Sequence, residues 1–230
     1  MTKKYVIANW KGRLSLQQGR EWLAEYRRER IREDGVRVIV APPCLSLVSL
    51  RLDAEEAGDG LRWCAQDISP YPPGGYTGSI PAALLRGIAD YVLVGHPERR
   101  RYFHEDVQEV ANKAAEAVEA GITPVVCLDR ENSGAQVGAL ADEVLTRMLV
   151  AYTPQLYGRT EKAPEDPAAV AEAVDHISRL TKRPVLYGGS INGTNVHRYT
   201  TVPGLAGLLV GRGSFDAPEF AALVRAVVAA

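Results

Sequence analysis

Between Tyr91 and Arg101 an imidazole and four charges follow directly on a short apolar run. Tyr91-Val92-Leu93-Val94 is apolar and largely β-branched, and Gly95 after it can take backbone angles closed to other residues, so the pattern predicts a strand ending in a turn. His96, Pro97, Glu98, Arg99, Arg100 and Arg101 come next. Proline suits the first position of a helix, which puts His96 at a helix N-terminus. Backbone amides there disfavour imidazolium and leave a neutral ring able to donate a hydrogen bond to a substrate oxygen. The same placement also suits a histidine that only caps the helix, so the chemistry depends on what else meets it.

The elements that must position these residues alternate between two periods. Strand-like runs are predicted at Lys4–Ala8, Val36–Val40, Leu61–Ala65, Tyr91–Val94, Thr123–Leu128, Met148–Tyr152, Pro184–Tyr187 and Leu205–Val210. Helical patterns lie between them: from Ser15 as a cap to about Glu33, Leu45–Ala57, a short one from Pro81 to about Gly87, Glu105–Ala120, Ser133 as a cap to about Arg147, Pro167–Leu180, and short ones after Asn192 and Asp216. Gln66 to Ser79 is a long Gly, Pro and Tyr-rich loop. Strict alternation implies parallel strands with right-handed crossovers, and eight units in 230 residues imply one closed (β/α)8 barrel domain over residues 1–230. In such barrels the residues just after each strand carry the chemistry. Here they are Asn9 and Lys11, Gln66, His96 and Glu98, Cys127, Thr153, the Gly188-Gly189-Ser190 turn and the Gly211-Arg212-Gly213-Ser214 turn. Glycine-rich turns ahead of helices at the last two strands offer backbone amides to an anion, most simply a phosphate, although glycine also serves plain tight turns.

Composition narrows the partners. The chain is 46% hydrophobic and 24% charged with a net charge of −1, an ordinary globular balance with no general field for nucleic acid. Of 27 basic residues, 21 are Arg, which suits carboxylate and phosphate recognition. Cys44, Cys64 and Cys127 show no metal-type spacing, and their odd number argues against a disulfide framework. The expectation is a cytoplasmic protein with no membrane span, no metal and no cofactor.

These residues, in this order, resemble triosephosphate isomerase. The resemblance runs from Tyr5 to about Val227 and rests on Asn9-Trp10-Lys11, the Gln66 to Ser79 loop, Val94-Gly95-His96 with Glu98-Arg99-Arg100, Ala151-Tyr152 with Pro154, Tyr187-Gly188-Gly189-Ser190-Ile191-Asn192, and Leu209-Val210-Gly211. It implies a TIM barrel. The family is a standard illustration of a glutamate base paired with a neutral histidine electrophile. By resemblance Asn9, Lys11 and His96 polarise a carbonyl and stabilise an enediolate, and Glu98 supports Lys11 from behind. Cys127 matches a cysteine near the family's active site, while a small buried apolar side chain is the simpler reading. The 66–79 loop implies insertion into a neighbouring subunit beside Lys11. The helices after the fifth and sixth strands look short for the family, as in its compact tetrameric members, so a homodimer is expected and a homotetramer is the alternative.

Three departures bear on activity. After Ala151-Tyr152 the family places its glutamate base, and this chain has Thr153, whose hydroxyl is no base near neutral pH. The family's serine after the catalytic histidine holds that glutamate, and here it is Pro97, with neither hydroxyl nor amide hydrogen. In the lid, Arg159 falls where a glycine amide meets the phosphate, and Arg212 replaces the second glycine of the eighth-strand turn. The two arginines either hold a more anionic substrate, fill the phosphate pocket themselves or lie solvated.

Two functions follow. One is an enzyme that keeps Asn9, Lys11 and His96, binds a small phosphorylated or otherwise anionic metabolite through Arg159, Gly189, Ser190, Gly211 and Arg212, and takes its base from elsewhere, Glu161 or Asp129 being the carboxylates to examine. The other is a catalytically silent barrel that binds a metabolite or a partner.

Overall fold

The structure, a computed structural model, describes residues 4–30, 35–154 and 164–230. Eight parallel strands follow one another around a closed barrel in sequence order: β1 (Lys4–Asn9), β2 (Val36–Ala41), β3 (Arg62–Ala65), β4 (Tyr91–Val94), β5 (Thr123–Leu128), β6 (Leu149–Tyr152), β7 (Val185–Tyr187) and β8 (Leu205–Val210). Closure runs through β1 and β8, with Tyr5 opposite Gly207 and Ala8 opposite Val210. The architecture is a single (β/α)8 TIM barrel, as the alternating pattern requires.

The helices are α1 (Leu16–Glu29), α2 (Cys44–Glu56), α3 (Pro97–Tyr102), α4 (Val107–Glu119), α5 (Ser133–Gly138), α6 (Asp142–Arg147), α7 (Pro167–Thr181), α8 (His197–Thr200) and α9 (Ala217–Val228). Ser15 caps α1 in a reciprocal box with Gln18, and Asp106 does the same for α4 with Glu109. Several elements differ from expectation. Ala82–Leu85 is one 3₁₀ turn and not an α-helix, closing between Pro81 and Arg86. The helix expected from Ser133 to Arg147 is two six-residue pieces, its N-cap is Asn132 and not Ser133, and the chain turns extended at Ala141 before α6. α7, after β6, runs for fifteen residues. The final helix is no short one, since its twelve residues bury Phe220, Leu223, Val224 and Val227 on one face.

Side chains alternate along each strand. Ile7, Ile39, Cys64, Leu93, Val125, Cys127, Ala151, Leu186 and Leu209 form one buried cluster that fills the barrel. Val6, Val38, Val40, Val92, Val126, Val150 and Val185 belong to a second, larger cluster between strands and helices. The same parity carried two residues past Ile7, Leu93, Ala151, Leu186 and Leu209 brings Asn9, Gly95, Thr153, Gly188 and Gly211 to the carboxyl rim. The site is thus laid out by strand register before any side chain chooses a rotamer.

Candidate active site

Lys11 sits in the left-handed region, φ +52°, a conformation that costs a non-glycine residue about 1 kcal/mol or more. Three contacts hold it there. Its amide donates to Asn9 Oδ1 (3.0 Å), its carbonyl accepts from Gln66 Nε2 (2.8 Å), and its ammonium meets Glu98 Oε1 at 2.5 Å. Gln66 Nε2 also donates to the Ala41 carbonyl at 2.8 Å, so one amide ties β2, β3 and the residue after β1 together. A Cβ at Gly211 would come within 3.2 Å of Lys11 Cε; glycine there leaves the lysine stem its path.

His96 is the N-cap of α3, and its Nδ1 accepts from the Glu98 amide at 3.2 Å. With Nδ1 accepting, the proton of the neutral ring belongs on Nε2. Burial pushes the ring well below its usual value, to about 4; Lys11 and Arg100 push the same way, while Glu98 and Glu105 oppose. Neutrality was expected from the amides of the helix N-terminus, but desolvation is the largest cause. The cap and the donor are one residue in two roles: Nδ1 serves the backbone and Nε2 is left for a ligand.

Asn9, Lys11, His96 and Glu98 line one wall of a cavity of about 510 Å³. Cys44, Phe103 and the two ends of the 66–80 loop, including Ser69 and Gly78, also line it, as does Leu93. That volume suits a small ligand. Cys44 and Phe103 enter the lining through tertiary contacts that spacing along the chain does not reveal, whereas Gln66 is one of the strand-end residues its place in the sequence singles out.

Thr153 follows β6 at an inward position and is 3% exposed. Its amide donates to the Leu128 carbonyl at 2.8 Å, and its hydroxyl reaches the same oxygen at 3.5 Å, the outer limit of a hydrogen bond. The hydroxyl also approaches Cys127, whose fully buried thiol is pushed up to about 12, mainly by desolvation. Cys127 is therefore a small inert side chain in the barrel interior, as its simpler reading held. A Cβ at Gly188 would lie 3.0 Å from Thr153 Cγ2, so the methyl packs against the turn after β7.

Asp129 does not fit the part of a base. It is 1% exposed and accepts from Arg100 (3.0 Å), the Asn132 amide (2.7 Å), Asn132 Nδ2 (2.8 Å) and Gln136 Nε2 (2.7 Å), which leaves it no freedom to take a carbon-bound proton. Arg159 and Glu161 lie outside the described residues. A carboxylate that spacing did not single out, Glu165, is gripped by three phenols: Tyr152 donates to its Oε2 (2.9 Å), Tyr199 donates to its carbonyl (2.7 Å), and its amide donates to Tyr187 (3.4 Å). Nothing near it in sequence signals those partners.

The two glycine turns pack against each other. A Cβ at Gly213 would come within 2.9 Å of the Ile191 carbonyl, and Glu219 Oε1 accepts from the Gly193 amide at 3.1 Å, tying α9 to the turn after β7. A Cβ at Gly189 would lie 2.2 Å from the Tyr187 hydroxyl, so glycine there leaves that ring its place. Ser190 is exposed and left-handed, φ +48°, and Arg212 is exposed at the start of a 3₁₀ turn.

Residues 4–227 match the family model for triosephosphate isomerase. The chain is 36% identical to the triosephosphate isomerase of Bordetella pertussis, over 94% of each chain, and 34% identical to that of Stenotrophomonas maltophilia, over the whole of both. At 29% identity it also matches the triosephosphate isomerase of Dehalococcoides mccartyi over 98% of this chain and 96% of the relative. A closed eight-strand barrel, the Asn9, Lys11, His96 and Glu98 cluster at its carboxyl rim and a match over nearly the full length agree: this chain belongs to the triosephosphate isomerase family.

Proposed function

We propose that the protein stabilises the enediolate or oxyanion of a small phosphorylated carbonyl compound, and that ordinary triose phosphate isomerisation is weak or absent because Thr153 stands where the family has its glutamate base. The observation that carries this reading is the contrast between two strand ends. At β1 and β4 the lysine, histidine and supporting glutamate are assembled to hydrogen-bond distances. At β6 the inward position holds a threonine bonded back to β5. Asn9 and the Nε2 proton of His96 supply hydrogen bonds, and Lys11 supplies positive charge, where an oxyanion develops; such groups act most strongly in a site shielded from water.

On this reading Gly189, Ser190, Gly211 and Arg212 hold the phosphate, supported by the contact between their two turns. Arg159 is assigned to the same anion by its place in the sequence. A silent, metabolite-binding barrel is the second reading, favoured by the full engagement of Asp129. We further infer a homodimer in the cytoplasm. Phe103, 65% exposed, lines the cavity, Leu45, 97% exposed, follows the lining residue Cys44, and Tyr71 and Tyr76 stack on each other in the exposed 66–79 loop, large apolar groups that a second copy would cover. Among the described residues no helix is long and apolar enough to cross a membrane.

The test is interconversion of dihydroxyacetone phosphate and glyceraldehyde 3-phosphate by contaminant-free protein. Thr153→Glu is expected to raise the rate above the parent by a factor on the order of 10² or more, and Pro97→Ser in the same chain to raise it further. Robust isomerisation by the parent that survives Thr153→Val would place the base elsewhere and end this reading.

A further inference from the structure

Helix α3 carries His96 as its N-cap and Glu98 in its first turn, yet none of its six residues is buried. A helix this short has little stability of its own, and without a buried apolar face its position is set by its polar ties. Besides the contact of Glu98 with Lys11, two guanidiniums supply them, one toward the loop after β3 and one toward β5. Arg99 pairs with Asp67 (2.8 Å) and Glu105 (3.3 Å). Arg100 reaches across to β5, where Nη1 meets Asp129 Oδ2 at 3.0 Å and Nη2 meets the Cys127 carbonyl at 2.5 Å. Asn132 and Gln136 fix the Asp129 carboxylate from behind. Gly95 is shaped to the same arrangement: its φ is +70°, and a Cβ there would lie 2.8 Å from Arg100 Nη2, so the guanidinium lies folded over the turn between strand and helix.

We propose that Arg100 and Asp129 form a positioning clamp that sets the angle of α3 against the barrel rim and so aims His96 Nε2 into the cavity. Neither residue lines that cavity. The clamp rests on the reading of His96 as the electrophile and explains how a helix without a hydrophobic anchor delivers it. The two bonds from Arg100 leave separate nitrogens of one planar fork for different acceptors, a fixed spacing that the single nitrogen of a lysine does not reproduce. Arg100 also faces His96 electrostatically, together with Lys11, Glu98 and Glu105, so freeing it alters both the aim of the ring and its surroundings.

The experiment is side-chain ¹⁵N NMR of the full-length protein, which reads the tautomer and charge of each histidine. The His96 signals are those lost in His96→Gln. The parent is expected to show a neutral His96 with its proton on Nε2 down to about pH 5. In Asp129→Asn, which keeps the shape, and Arg100→Lys, which keeps the charge, the single tautomer is expected to give way to a mixture. The titration midpoint is expected to rise by about one pH unit or more. Either variant, if folded, suffices. Phe220→Leu thins the aromatic cluster of Trp22, Tyr26 and Phe220, and is expected to lower the melting temperature without moving His96. A parent-like tautomer and midpoint in both clamp variants, or an equal change in Phe220→Leu, overturns the clamp. A parent His96 that is charged or carries its proton on Nδ1 at neutral pH removes the electrophile reading itself, and the clamp with it.

Discussion

Acidification should weaken this protein through His96. An unfolded histidine titrates near 6.5, whereas the folded ring is held to about 4, chiefly by burial. Between those values the unfolded chain takes up a proton that the folded ring refuses, so stability rises with pH across the window and is lost as pH falls through it. The gap, 6.5 − 4 = 2.5, corresponds to about 3 kcal/mol at most, because the ring keeps 16% of its side-chain exposure and solvent screens part of the effect. Between about pH 7 and about pH 5 the expected loss is about 2 kcal/mol. Urea unfolding of the parent and of His96→Gln over that range measures it, since the difference between the two isolates the imidazole from the carboxylates that titrate lower. A difference constant to within about 0.5 kcal/mol would refute a buried, neutral His96.

Three further outcomes are expected. Gly95→Ala meets both a left-handed φ and the Arg100 guanidinium, and should cost about 2 kcal/mol or more in thermal or urea unfolding; an unchanged melting temperature would deny the tight turn. Gln66→Ala takes the side-chain donor from the Lys11 carbonyl, while the Ala41 carbonyl keeps the Trp10 amide at 3.1 Å, and should cost about 1 kcal/mol; no measurable loss would mean the amide does not hold the Lys11 backbone. Sedimentation of the parent at micromolar concentration should give twice the 25.0 kDa chain mass, and Leu45→Glu with Phe103→Glu should give the chain mass alone; a monomeric parent ends the dimer reading.

The barrel was legible because two periods alternate cleanly: Tyr91–Val94, Thr123–Leu128 and Leu205–Val210 are strands at the bounds their apolar runs predict. His96 as a cap followed from Pro97 and Gly95, whose conformational demands are local. What depends on distant partners was not legible. The break between α5 and α6 is one such case. The engagement of Asp129 is another, since a carboxylate just past a strand reads as available until Arg100, Asn132 and Gln136 are seen around it. The left-handed backbone of Lys11 is a third: lysine gives no local sign of it, and the glutamine that secures it is 55 residues away.

The register of the barrel divides the rim into two arcs. Asn9, Lys11, Gln66, His96 and Glu98 all end or follow the first four strands, and the bonds of Lys11 to Asn9, Gln66 and Glu98 run among those strands. Thr153 and the two glycine turns come from the last four, joined to the first arc through the pairings of β4 with β5 and β8 with β1 and through the reach of Arg100 to Asp129. Thr153 and the eighth-strand turn that carries Arg212 both fall in that second arc. The two arcs are thus free to differ from each other except at Arg100, whose bonds to Asp129 and the Cys127 carbonyl rest the helix that carries His96 on the second arc.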